Sequence, residues 1–130
     1  SGETDLGQLL QTMRPQLRPD AYVFVSVQDP PPGLEPVATV REVEGLTLVL
    51  KREDADAAGL PYDFVAAMVT LQVHSALEAV GLTAAVATEL ADAGMSCNVI
   101  AGYFHDHLFV PADRATEAMR LLDGLVGRSR

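Results

Sequence analysis

Two stretches of the chain carry side chains whose types and spacing suit chemistry. The first is His74-Ser75-Ala76-Leu77-Glu78-Ala79-Val80-Gly81, which joins an apolar strand pattern to an amphipathic helix pattern. At the start of that helix, free backbone N–H groups near Leu82 and Thr83 suit a carboxylate, and the helix dipole adds to the attraction. Gly81 permits close approach of a ligand or of a second backbone. Glu78 suits an ammonium or a guanidinium, and Ser75 can orient either group. Together these residues outline a site for a zwitterion. The plainer reading of the same residues is a tight turn at Gly81 and a Glu78 that faces water.

The second stretch is His105-Asp106-His107. On a strand the two imidazoles share a face and Asp106 opposes them. They supply two zinc ligands, and a third would have to come from elsewhere, such as His74 or Glu78. No spacing marks that third ligand. A polar turn with Asp106 bonded to its own backbone accounts for the residues better, so neither a metal nor another cofactor is expected. Ser75 beside His74 does not make a nucleophile and base, because neighbours in a strand point apart. No G-x-S-x-G turn, P-loop or G-x-G-x-x-G run occurs. The expectation is a protein without a catalytic residue.

The elements that must position these stretches follow from hydrophobic spacing. Leu6, Leu9, Leu10, Met13 and Leu17 recur as on a helix, which Pro15 and Pro19 should cut short. Tyr22 to Val27 and Val37 to Val43 read as strands, separated by the surface loop Asp29-Pro30-Pro31-Pro32-Gly33. Leu46, Leu48 and Leu50 alternate with Thr47, Val49 and Lys51 on a half-buried strand. Glu53 to Gly59 allows a helical turn or two. Phe64 to Val73 is the longest strand: Val65, Ala67, Val69, Leu71 and Val73 point one way, and Met68, Thr70, Gln72 and His74 the other. Leu82, Val86, Leu90 and Ala93 stripe a helix that Gly94 should cap. Ser96 to Gly102 and His107 to Val110 read as strands. Pro111 and Asp113 then start a helix lined by Ala115, Ala118, Met119, Leu122, Leu125 and Val126.

The predicted order is α-β-β-β-(α)-β-α-β-β-α. Its second half, βαββα, lacks the last strand of a ferredoxin-like βαββαβ unit. Strands from the first half are expected to fill that place, because a bare edge invites aggregation. The expected fold is α+β: two related lobes with antiparallel sheets, residues 5–60 and 61–130, in one compact body without a Gly/Ser-rich linker. Glu42-Val43-Glu44-Gly45-Leu46-Thr47 echoes Glu78-Ala79-Val80-Gly81-Leu82-Thr83, although the first precedes a strand and the second a helix.

Composition bounds the partners. The 130 residues are 48% apolar but contain no Trp, so the core must be built from Val, Leu, Ile and Ala. A formal charge of −9 argues against nucleic acid and against an anionic membrane surface. Cys97 is alone and sits among apolar residues, as a small hydrophobe would. Ser1-Gly2 has the form of a cleavage scar and is left aside. With no secretory-type leader and no run of about 18 apolar residues, a cytoplasmic location is expected.

The chain resembles the small bacterial ACT-domain proteins, which are related to aspartokinase regulatory domains and to tandem-ACT arginine sensors. The resemblance lies in Met13-Arg14-Pro15, Tyr22-Val23-Phe24, Glu44-Gly45-Leu46-Thr47, Val73-His74-Ser75, Leu77 to Ala84, Cys97 to Gly102 and His105-Asp106-His107. It implies a ferredoxin-like ACT fold, side-by-side association into a homodimer or larger homo-oligomer, and an amino acid bound at a subunit or lobe interface. The ligand residues it implies are His74, Ser75, Glu78, Val80, Gly81, Leu82, Thr83, Asn98, Val99 and Ile100. Ala76 departs from the family pattern, which has a second serine there. A non-catalytic regulatory module is the leading expectation. The rivals are a metal-dependent enzyme built on His105 and His107, and a structural assembly protein with no ligand.

Overall fold

A computed structural model describes residues 6–72 and 81–129. The elements in chain order are α1 (Leu6–Thr12), β1 (Pro15–Val27), β2 (Ala38–Glu42), β3 (Gly45–Lys51), α2 (Arg52–Ala57), β4 (Val65–Leu71), α3 (Leu82–Asp92), β5 (Asn98–Ala101), β6 (Asp106–Pro111), a 3-10 turn (Ala112–Arg114) and α4 (Ala115–Arg128). They form two compact units, residues 19–66 and residues 1–18 with 67–130.

In the unit of residues 19–66 the strand order is β2-β3-β1. β1 and β3 pair antiparallel, with Val23 opposite Leu50 and Val25 opposite Leu48. Cross-strand partners share a face, and these four bury with Ala55 of α2 into one core. Leu46, Leu48 and Leu50 pack on one face as expected, but Val49 on the other face is also buried, at 1% exposed, so β3 is not half-buried there. A two-residue turn at Val43 and Glu44 joins β2 to β3, since Glu42 pairs with Gly45.

The other unit has the strand order β4-β6-β5, with the beginning of β1 beside β4. Gln72 donates its backbone N–H to the Met13 carbonyl at 2.7 Å, and its side chain donates to Gln16 Oε1 at 2.7 Å. Because β6 lies between β4 and β5, the link β4-α3-β5 is a crossover, the split βαβ arrangement of ferredoxin-like folds. One face of the sheet, through Ala67, Val69, Leu71, Leu108 and Val110, packs on α1, α3 and α4, which contribute Leu9, Leu10, Leu82, Val86, Leu90, Ala118 and Leu122.

α3 ends as its sequence implies. Gly94 has φ +71, its N–H donates to Ala91 O, and Met95 N–H donates back to Leu90 O. That pair of bonds is a Schellman cap, with Met95 buried beyond it. Arg114 adds a fork to the same helix end: Nη2 donates to Ala93 O at 2.9 Å and Nη1 to Gly94 O at 3.1 Å.

Three local expectations change. The first helix stops at Thr12, and β1 starts at Pro15 rather than Tyr22. Both prolines are poor helix residues but are tolerated at a strand's beginning or edge. Leu17, placed in the helical stripe, is an exposed strand residue. β5 is shorter than Ser96–Gly102, because a turn begins at Gly102. Finally, Met68 and Thr70 are 4% exposed, so β4 is buried on both faces.

Candidate functional site

α3 opens at Gly81, whose φ of +102 and ψ of −25 are ill suited to a side-chain-bearing residue. Its carbonyl accepts the first helical bond, from Ala85 N–H at 2.8 Å. The N–H groups of Leu82 and Thr83 precede that bond, and Gly81 as N-cap residue offers no side chain to cap them. A Cβ on residue 81 would meet Leu6 Cδ2 at 3.3 Å, so the α1 side chain packs directly over the glycine. Leu82 turns into the core, whereas Thr83 is exposed. His74, Ser75, Glu78 and Val80 lie outside the described residues.

The β5 candidates divide by face. Asn98 pairs with Phe109 and Ile100 with His107, whereas Val99 pairs with Leu108. Val99 therefore joins Leu108 against the helices. Asn98 and Ile100 project from the opposite face, and Asn98 is exposed. Strand order also separates these residues from Gly81. The crossover starts β5 near the C-terminal end of α3, and an 11-residue helix spans roughly 16 Å. One copy of the chain does not bring Asn98 to Gly81. Cys97 packs half-buried against the helix-side core, and burial raises its thiol pKa, which keeps the sulfur protonated.

The histidine segment is a hairpin turn. Gly102 N–H donates to the His105 carbonyl at 2.8 Å, and β6 begins at Asp106. His107 Nδ1 lies 3.0 Å from the hydroxyl of buried Thr70 on β4. Desolvation lowers the His107 pKa, with His105 and Arg18 acting in the same direction and Asp106 opposing them. Desolvation raises the Asp106 carboxyl. The ring centroids of His105 and His107 are 6.5 Å apart. Among the described residues no cluster of three or more His, Cys, Asp or Glu side chains could hold a metal. The Thr70 contact escaped sequence reading because it joins residues 37 apart; the polar Thr70 within an apolar strand was its only signal.

Two family models described as the ACT domain match the chain, one over residues 1–67 and the other over residues 64–123. The chain belongs to the ACT-domain family. A crystal structure of a Vibrio cholerae protein of unknown function, described as a possible transport protein, is 50% identical to this ACT-domain chain. The match covers 97% of this chain and 99% of that one, with a TM-score of 0.84. The ligand-free regulatory subunit of aspartate kinase from Thermus thermophilus shares the fold at 14% identity, with 85% and 95% of the two chains covered and a TM-score of 0.63. An Agrobacterium tumefaciens protein shares it at 18% identity, 86% and 87% coverage and a TM-score of 0.72. No curated protein matches. No helix among the described residues is long and apolar enough to cross a membrane.

Proposed function

We propose that this ACT-domain protein is a non-catalytic regulatory module that binds an amino acid between subunits. Family membership supports a regulatory, ligand-binding role in general. The observation that carries the finer reading is the start of α3. There a positive-φ glycine with no side chain of its own to cap the helix stands at its start, and a carboxylate would meet the Leu82 and Thr83 N–H groups. Glu78 would take the amino group or a cationic side chain, and Ser75 would orient it. Within one copy Asn98 sits at the other end of α3, so its part in the site would be played from a neighbouring subunit. The open edge of β5 suits such a neighbour, since β5 ends the strand order and Asn98 and Ala101 are exposed.

A thermal-shift screen of the standard amino acids tests this reading. A ligand at about 100 times its dissociation constant adds about 2.7 kcal/mol of stability. That corresponds to several degrees for a domain of this size. Calorimetry on a hit should then show Glu78→Ala weakening binding roughly ten- to a hundredfold through loss of one charge-assisted bond. A screen without a hit would favour a structural assembly role. A hit unaffected by either Glu78→Ala or Gly81→Val would place the ligand elsewhere.

A further inference from the structure

We propose that the β5–β6 hairpin is an acid-released latch: uncharged His107, seated on buried Thr70, holds the edge strand in place, and a proton added to that ring frees it. The seat is tight on both sides. Toward β4, Nδ1 lies 3.0 Å from Thr70 Oγ1. Toward the turn, a Cβ on Gly102 would lie 2.8 Å from the His105 carbonyl oxygen and 3.4 Å from His107 Nε2. Only a glycine lets the turn close this near the ring. Opposite His107 on β5 stands Ile100, so the ring contributes to anchoring the strand that ends the sheet. The turn it secures carries Tyr103 and Phe104, which are 76% and 57% exposed and stacked edge to face.

The charged and titratable groups that bear on the ring are His105 and Asp106 on its own hairpin and Arg18 on β1. Thr70 is the polar partner from β4. Asp106 alone favours the cation. Desolvation, His105 and Arg18 all disfavour it, and the net effect lowers the pKa from its ordinary value of 6.5. The sign follows from linkage. A histidine with a depressed folded pKa binds fewer protons folded than unfolded near that value. Its contribution is full above pH 6.5 and is lost as the pH falls through the window down to the folded pKa. In either tautomer of the Thr70 bond, the added proton places a charge in a half-buried ring.

Amide hydrogen exchange on the full chain without ligand, from pH 7.5 to 5.5 and corrected for intrinsic rates, tests the latch separately from the ligand reading. Protection of β5 and β6 amides should fall by up to about tenfold per pH unit within the window. The β1–β3 amides should change far less. His107→Asn keeps a polar group near the Nδ1 position without titrating, and it should flatten the hairpin's response. NMR titration of the His107 ring needs no variant and should give a midpoint below 6.5, the ordinary value. Flat wild-type hairpin protection, equal loss in both units, an unchanged slope in His107→Asn, or a ring midpoint at or above that value would each overturn the latch.

Discussion

Three glycines that look alike in the sequence make different demands on the backbone. At Gly81 the demand is conformational: φ is +102, and Leu6 lies over the missing side chain. Alanine there should destabilise the protein by about 1–2 kcal/mol, and valine by more, since a branched Cβ also presses on Leu6. At Gly102 the demand is space, because a Cβ would sit 2.8 Å from a backbone oxygen that cannot swing away. Gly102→Ala should cost about 1–3 kcal/mol, the usual range for forced overpacking. Gly127, in α4, has nothing within 4 Å of a would-be Cβ, and alanine there should stabilise by about 0.5 kcal/mol. Urea unfolding of the three alanine variants checks the order. A neutral Gly102→Ala would mean that the turn is not closed as described.

At the scale of elements, the C-terminal end of α3 is held twice, by its own Schellman bonds and by Arg114 from the turn before α4. The guanidinium donates to two terminal carbonyls and also meets Glu117 Oε1, with Nη2 at 2.7 Å. Hydrogen bonds from a charged donor contribute about 1.5–3 kcal/mol. Partial exposure of Arg114 reduces that, so Arg114→Ala should cost about 1–2 kcal/mol in urea unfolding. Arg114→Lys should recover less than half, because one ammonium cannot span both carbonyls. Full recovery by lysine would reduce the role to charge alone.

The same helix shows what its sequence disclosed. Leu82, Val86 and Leu90 marked the buried stripe and Gly94 its stop, because periodicity and capping are local. Arg114 and Thr70 gave no comparable signal, since each acts on a segment distant in the chain. The start of β1 was hidden for another reason. Leu17 continued a helical spacing that Pro15 had already ended. At the candidate site, Gly81 and the helix start were visible as a pattern. The division of Asn98 and Ile100 from Val99 follows from strand alternation, but which face meets the helices required the pairing with β6.

For the whole molecule, charge sets the terms of association. Each copy carries a formal −9, so a homodimer through β5 joins two like-charged bodies. The joining surface as proposed is a sheet edge with exposed Tyr103 and Phe104 beside it. Backbone pairing and aromatic burial depend little on salt, whereas the repulsion between the two net charges extends only a Debye length, about 10 Å at 0.1 M and 30 Å at 0.01 M. Salt should therefore strengthen the dimer. Light scattering at micromolar concentration should report twice the 13.8 kDa chain mass, and the dissociation constant should fall on going from about 0.01 to about 0.1 M NaCl. Tyr103→Ser with Phe104→Ser should weaken the dimer at both salt concentrations while keeping the same salt trend, since neither change alters net charge. A dimer that weakened with salt would instead be held by opposite charges, and a monomer at every concentration would remove β5 as a subunit interface.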